Sequence, residues 1–246
     1  MEATVIREAT AVVFVTQETA DVVMQKYPDA WRAKVSIVPH GFDPRLPVNA
    51  VNSIDRSRPL RLVYTGRFYR GIRTPLGLLE ALAVLNRRSP IAGQLEISLI
   101  GPQVGDYLAD AQRLGIAQSL KFHDRVAPSE AASAAAQADV LLIIDAPSDG
   151  TSVFLPSKLV DYLPLRKPIL GLTPAQGASA KLLRRLRCPI VPPDDANAIA
   201  SAISDLLRGW RDGTLAVDQS FDAIAAEYDI RNTSKLLSDV LARAAA

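Results

Sequence analysis

Short apolar runs alternate with segments of helical period along this chain. The runs are Ala11–Val15, Val35–Val38, Leu60–Tyr64, Leu95–Ile100, Leu120–Phe122, Val140–Ile144, Pro168–Leu170 and Pro189–Val191. Several are continuous Val, Ile and Leu stretches, the pattern of strands buried on both faces of a parallel sheet. Between them the spacing predicts helices at Glu18–Lys26, Pro75–Arg88, Tyr107–Leu114, Ser129–Gln137, Lys158–Tyr162, Ser179–Arg185, Asn197–Arg208 and Phe221–Ala245. The last is interrupted near Tyr228-Asp229 and reads as two helices that must dock on something. Strands alternating with helices imply right-handed crossovers and a doubly wound α/β sheet.

Helix starts are marked by local chemistry. Thr74-Pro75 places a capping hydroxyl before a proline at the first helical position. Pro128-Ser129-Glu130 and Pro193-Asp194-Asp195 are similar signals, and Ser157 precedes the helix that carries Lys158. Residues 46–59 hold prolines, asparagines and serines with little periodicity and read as a linker. It leaves residues 1–45 as a strand, a helix and a strand. A lone unit of that size cannot bury its own faces. It should belong to a larger sheet or pack back onto the main domain, here residues 60–217, with residues 218–246 as terminal helices.

Composition narrows the function. The chain has 246 residues, 48% of them hydrophobic, enough to bury a sizeable core. The 28 basic and 26 acidic residues nearly balance, at net +2, which excludes a general nucleic-acid or membrane binder. No apolar run approaches the length of a membrane span, and the acidic Glu2 start does not read as a signal peptide. One cysteine, Cys188, and two histidines exclude internal disulfides, zinc clusters and His-based metal sites. The charge is uneven, however. Arg56, Arg58, Arg61, Arg67, Arg70 and Arg73 crowd together, a local basic patch that suits a small anion better than a polymer. Arg184, Arg185 and Arg187 read as a solvated helix face.

Three strand-to-helix transitions carry candidate chemistry. In the first, the strand ending at Tyr64 runs through Thr65-Gly66-Arg67-Phe68-Tyr69-Arg70-Gly71-Ile72-Arg73 into a helix. Gly66 and Gly71 permit positive φ, the helix start offers free N–H groups, and the guanidinium groups suit a diphosphate. A glycine turn with surface arginines has the same pattern. In the second, the most apolar strand leads through Asp145 to Pro156-Ser157-Lys158-Leu159-Val160-Asp161-Tyr162. There Ser157 and the following amides would face a phosphate, Lys158 would add a point charge, and Asp161 would accept from vicinal ribose hydroxyls. The spacing equally suits Lys158 and Asp161 as an i, i+3 surface pair. In the third, Phe122-His123-Asp124-Arg125-Val126 ends a strand, and the backbone at Arg125 and Val126 would meet a base edge. The dinucleotide fingerprint G-x-G-x-x-G, the Walker A pattern and the G-x-S-x-G elbow are all absent.

Five segments in order resemble a known family. They are Val38-Pro39-His40-Gly41-Phe42-Asp43, Tyr64-Thr65-Gly66-Arg67, Ile100-Gly101-Pro102, Pro156 to Tyr162, and Lys167-Pro168-Ile169-Leu170. They are similar to the C-terminal half of retaining glycosyltransferases of family 4. The resemblance implies the GT-B architecture, two Rossmann-like domains facing across a cleft, with the donor bound by the C-terminal one. It implies that Gly66, Arg67 and either Arg70 or Arg73 grip the donor's diphosphate, with Lys158 taking part of that role. It implies that Asp161 holds the ribose and that Arg125 and Val126 contact the base. The family's first paired glutamate falls on Val153, a departure.

The resemblance further implies that residues 1–45 are the last βαβ of an N-terminal, acceptor-binding domain whose remainder is missing, with Phe221–Ala245 crossing back to it. The function implied is binding of a nucleotide diphosphate sugar for metal-independent, retaining transfer. Arg67, Arg73 and Lys158 would stabilise the leaving diphosphate. The chain alone would be half an enzyme, a fragment or one subunit of a split transferase, with catalytic residues on the acceptor side unassigned. No cofactor or metal is expected. The expected partners are the donor and a glycan or lipid-linked acceptor in polysaccharide biosynthesis, and not nucleic acid. The expected location is cytoplasmic, or peripheral at the inner face of a membrane. The alternatives are a non-catalytic nucleotide- or protein-binding module and an enzyme like a sugar-nucleotide epimerase.

Overall fold

A computed structural model describes residues 1–44 and 55–245. The main domain is a six-stranded sheet, every pairing in it parallel. Its strands are β3 (Leu60–Thr65), β4 (Leu95–Ile100), β5 (Leu120–His123), β6 (Val140–Ile144), β7 (Ile169–Leu172) and β8 (Ile190–Val191). They lie in the order β5-β4-β3-β6-β7-β8. The chain therefore winds outward from β3 in one direction and from β6 in the other. A crevice opens at the carboxyl ends between those two strands, where open α/β sheets bind ligands.

Alternate residues of the central strands feed two cores. Leu60, Leu62 and Tyr64 of β3 join Val140, Leu142 and Ile144 of β6 on one face, under helices α3 (Leu76–Arg88) and α8 (Ala196–Asp212). Val63, Leu141 and Ile143 point to the other face. That face is covered by α5 (Pro128–Gln137), α6 (Ser157–Asp161), α7 (Ala178–Arg185) and α9 (Phe221–Ala226). All five β6 residues are buried on both sides, which is why the run is continuous rather than alternating. Each such Leu or Ile contributes about 1.5–3 kcal/mol on burial. The last helix over β4 and β5, α4 (Leu108–Arg113), follows a 3-10 turn at Val104–Tyr107.

The N-terminal unit forms a separate sheet of two parallel strands, β1 (Val12–Phe14) and β2 (Val35–Ile37). They are joined through α2 (Gln17–Met24), whose cap hydroxyl, Thr16, accepts from Thr19 N–H at 3.1 Å. A short helix, α1 (Glu2–Glu8), precedes β1 and was not expected from the sequence; only Ile6 in it is buried, so it carries almost no apolar period. The unit packs back onto the larger domain. Phe42 N–H donates to the Tyr228 carbonyl at 2.8 Å, and Ile230 N–H to the Phe42 carbonyl at 2.9 Å. Helix α10 (Ile230–Ala245) then runs along the unit, lining a hollow with Ala11, Trp31 and Lys34. Among the described residues no helix is long and apolar enough to cross a membrane.

Several sequence expectations shift. Most of the linker, 46–54, lies outside the described residues. Pro75 is the N-cap of α3 rather than its first residue, and Thr74 Oγ1 accepts only a long bond, 3.4 Å, from Leu76 N–H. Ser157 is the first residue of α6, with Pro156 at the cap. β7 begins after Pro168 and runs two residues further than expected, to Leu172.

The arginine cluster is also not one patch. Arg58 grips Asp139 through two bonds of 2.6 and 2.9 Å and stacks over Trp210 at 4.9 Å. Arg61 pairs with Glu96 at 3.6 Å. These sit at the start of β3, while Arg67, Arg70 and Arg73 follow its end, about 20 Å away at 3.3 Å per residue.

Candidate active site

Two glycines bring the strand ends together. Gly66 and Gly101 each adopt φ of 143°, a region open to glycine. Gly66 N–H donates to the Ile100 carbonyl at 2.8 Å, and Gly101 N–H to the His123 carbonyl at 2.9 Å. A Cβ on Gly101 would lie 2.3 Å from the Gly66 carbonyl oxygen, so the tips of β3 and β4 touch backbone to backbone. A Cβ on Gly66 would lie 2.0 Å from Lys158 Nζ. The missing side chain is what admits the lysine.

Helix α6 is anchored to the same tip. Tyr162, just after α6 and 3% exposed, takes Thr65 N–H at 3.1 Å and lies 2.9 Å from the Thr65 hydroxyl. Burial pushes the Tyr162 phenol up to about 12, so it stays a neutral hydrogen-bonding group. The loop before α6 is tied down as well. Ser152 bridges Gly177, and Ser179 Oγ donates to the Phe154 carbonyl at 2.9 Å. Val153 lies in this loop, where its carbonyl faces the Thr16 hydroxyl at 3.5 Å.

Lys158 therefore reaches across to β3. Its Nζ stands 4.0 Å from the centroid of the Tyr64 ring, which is itself stacked on Phe68. The Nζ is enclosed and has no hydrogen-bond partner, so the i, i+3 surface pair with Asp161 does not form. Burial lowers its pKa from an ordinary 10.5 to about 7, helped by the Arg73 charge and opposed by Asp145. A ring face favours an ammonium by about 0.5–2 kcal/mol. Enclosing that ammonium without an acceptor costs more, several kcal/mol, so the neutral amine competes at physiological pH.

Arg73 comes from the turn before α3. The turn closes through reciprocal backbone bonds between Tyr69 and Arg73, each 2.8 Å. The guanidinium is held by the Arg67 carbonyl at 2.9 Å and by the Tyr69 ring at 5.1 Å, leaving its Nε enclosed and unpartnered. Arg67 contributes that carbonyl, which also accepts from Tyr64 Oη at 3.3 Å, while its side chain is exposed. Arg70 is exposed on the far side of the turn, where its charge acts on Tyr107. Arg73 is thus the arginine brought to Lys158.

Asp145 closes the group from the end of β6. It is 3% exposed. Its Oδ2 accepts from Thr173 Oγ1 at 2.9 Å, and its Oδ1 is enclosed without a partner. Burial raises its pKa, against the pull of the Ser179 and Thr173 hydroxyls and the charges of Arg73 and Lys158. Asp145, Tyr162 and His40 join the site only in the folded chain. A signal existed for Asp145, a carboxylate directly after five buried apolar residues. None existed for Tyr162, whose role depends on a contact across 97 positions.

The remaining candidates spread along the crevice. Asp161 ends α6; partial burial raises its carboxyl pKa, and His40 opposes the rise. His40, on the segment after β2, is lowered by burial, against Asp161, and its Nε2 has no partner. Ser157 is exposed at the start of α6. Arg125 is exposed two strands away, beyond β5, and Val126 packs half-buried against the second core. Among the described residues no three or more His, Cys, Asp or Glu side chains group to hold a metal ion.

The family model of Glycosyl transferases group 1 matches residues 59–209, which include the sheet, the Gly66 turn and the Lys158 helix. The chain belongs to that family. No curated protein matches it by sequence. Among solved structures it is similar to the lipopolysaccharide outer core galactosyltransferase WaaB, at TM-score 0.70 and 15% identity over 95% of this chain and 62% of that one. Sucrose-phosphate synthase from Thermosynechococcus elongatus matches at TM-score 0.72 and 17% identity, over 98% and 60%. WaaG, a glycosyltransferase of lipopolysaccharide biosynthesis, matches at 0.63 and 18%, over 93% and 61%. The likeness shows a GT-B glycosyltransferase fold. The chain spans about three fifths of the length of these structures. At the carboxyl ends of β3 and β6, Arg73, Lys158 and Asp145 lie near enough for their charges to act on one another.

Proposed function

We propose that this group 1 domain binds a nucleotide diphosphate sugar at the β3–β6 crevice and stabilises the departing diphosphate during retaining, metal-independent glycosyl transfer. The observation that carries the reading is a convergence of orphaned polar atoms. Five enclosed side-chain N or O atoms lack a partner among the described residues, and three of them are Arg73 Nε, Lys158 Nζ and Asp145 Oδ1. Buried polar groups are normally satisfied, so a cluster of unsatisfied ones around two cationic side chains suits a polar anion. Arg73 and Lys158 would take the phosphate oxygens, with the Arg67 side chain and the N–H groups at Ser157 and Lys158 on the rim. The carboxylate of Asp161 would accept from the ribose hydroxyls, and the backbone at Arg125 and Val126 would meet the base. Fixed cations already in place need no reorganisation as charge develops on the leaving group.

The acceptor and the groups around the anomeric carbon would come from a further domain or partner chain that faces this crevice. The lipopolysaccharide enzymes among the similar structures support a glycan or lipid-linked acceptor. The test is calorimetric titration with UDP, GDP and ADP without metal, on the wild type and on Arg73→Ala. One diphosphate should bind saturably. The variant should weaken it about 10–100-fold, as expected for a charge-assisted hydrogen bond of 1.5–3 kcal/mol, while the matching nucleoside is unaffected. Equal losses for nucleoside and diphosphate, or no binding by any of the three, would overturn the reading.

A further inference from the structure

Lys158 is built as a binding group yet has no hydrogen-bond partner among the described residues. Its Nζ is enclosed by the Tyr64 ring, the bare Cα of Gly66 and the body of α6. No carboxylate, carbonyl or hydroxyl accepts from it. The charged and titratable groups that face it are few. From the turn before α3 comes the Arg73 guanidinium, a like charge. From the end of β6 comes Asp145, whose Oδ2 is already engaged by Thr173. From β3 comes Tyr64, a phenol that burial holds neutral. On its own helix Asp161 turns toward His40, and Tyr162 is spent on Thr65. One carboxylate thus stands opposite a guanidinium and an amine in an enclosed pocket.

We propose that Lys158 is a neutral amine in the ligand-free protein and takes up a proton when a diphosphate enters, so that donor binding and protonation are one linked event. The proposal rests on the donor-site reading above and adds a step to it. The balance is simple. The amine lone pair accepts one proton from solvent, no covalent bond to the ligand forms, and the ammonium then donates to a phosphate oxygen. The diphosphate supplies the acceptor that the pocket lacks, and its charge offsets the repulsion from Arg73. The low value near 7 for the free amine agrees with this arrangement. Affinity for the diphosphate should then fall about tenfold per pH unit above neutrality, until the bound ammonium itself titrates.

Two measurements on the full chain test it. The first follows the lysine 13Cε resonances against pH in the free protein, with Lys158 assigned by its loss in Lys158→Arg. A midpoint near neutrality is expected; an ordinary midpoint near 10.5 overturns the proposal. The second titrates UDP, GDP and ADP at about pH 8, where the nucleotide phosphates are fully ionised, in buffers of different ionisation enthalpy. The wild type should take up close to one proton per bound nucleotide. Lys158→Arg, always charged, should take up none, and Lys158→Met keeps the test open if arginine does not fit beside Gly66. Binding by the wild type without proton uptake overturns the proposal and leaves the donor site standing. No binding by any nucleotide, with a lysine midpoint near neutrality, overturns the donor reading and the linkage together.

Discussion

Replacing Lys158 by methionine should make the protein more stable, and the size of the gain should depend on pH in a defined direction. Methionine keeps the unbranched chain that lies between Tyr64 and Gly66 and places a polarisable sulfur on the ring face. It removes an amine that folding encloses without an acceptor. In the unfolded chain this lysine titrates near 10.5, and in the folded protein near 7. The folded state therefore binds fewer protons between those limits, and wild-type stability rises with pH across them. Well below pH 7 the burden is full, an upper bound of about 4.8 kcal/mol at 1.36 kcal/mol per pKa unit, and at pH 7, where the folded amine is half titrated, it is about 4.4 kcal/mol. By pH 9 it has fallen to about 2 kcal/mol on the same arithmetic. Lys158→Met should thus gain about 2–4 kcal/mol at neutrality, and its advantage should shrink by up to about 2.3 kcal/mol by pH 9. Urea unfolding followed by circular dichroism at both pH values reads this directly, because the other titrating groups cancel between variant and wild type. A variant less stable than wild type at neutrality, or an advantage that does not narrow with pH, would refute the reasoning.

Two further outcomes are expected. Asp161→Asn should weaken ribonucleotides and leave 2′-deoxyribose analogues unchanged in the same calorimetric titration; equal effects on both would remove the ribose role. Asp139→Ala should destabilise by about 3–5 kcal/mol, because it strips Arg58 of both charge-assisted bonds and Arg61 N–H of its 2.9 Å acceptor. A loss below about 1 kcal/mol in urea unfolding would show that the pair contributes little to the fold.

The sheet was legible first at its centre, where β6 and β7 are buried on both faces. Val140–Ile144 coincides with β6 residue for residue because a continuous Val, Ile and Leu run suits a strand covered on both faces, and Leu95–Ile100 coincides with β4 although Glu96 and Ser98 alternate into half-buried positions. Helix starts were less legible. Pro75 is as acceptable at the cap as one residue later, and nothing local in Thr74-Pro75 distinguishes the two. The candidate site was legible only as far as strand ends. Gly66, Arg73, Lys158 and Asp161 all follow β3 or β6, and the winding of the sheet brings those two ends together. What spacing cannot hold is a contact between positions far apart in the chain. Lys158 and Asp161 read as a surface pair at i, i+3, yet the lysine turns inward to Tyr64 because Gly66, ninety-two positions earlier, leaves the space.

The two ends of β3 show what decides between structure and function for one residue type. Before the strand, the Arg58 guanidinium under Trp210 is itself fully engaged, in a bidentate pair with the Asp139 carboxylate and a 3.0 Å bond to the Pro59 carbonyl. After the strand, Arg73 and Lys158 are held just as firmly, by the Arg67 carbonyl, the Tyr69 ring and the Tyr162–Thr65 anchor of α6. Yet the atoms they turn inward have no partner. The frame around them is satisfied and the centre is not. An ordinary folding core would have evolved the opposite arrangement, because buried polar and charged groups without partners lower stability. Groups fixed in advance and left unsatisfied at one point are what an anion needs for tight, oriented binding, since its arrival requires no rearrangement of the protein. The stability given up at Lys158 is therefore the physical signature of the site, and recovering it with methionine should weaken diphosphate binding in the same protein that it makes harder to unfold.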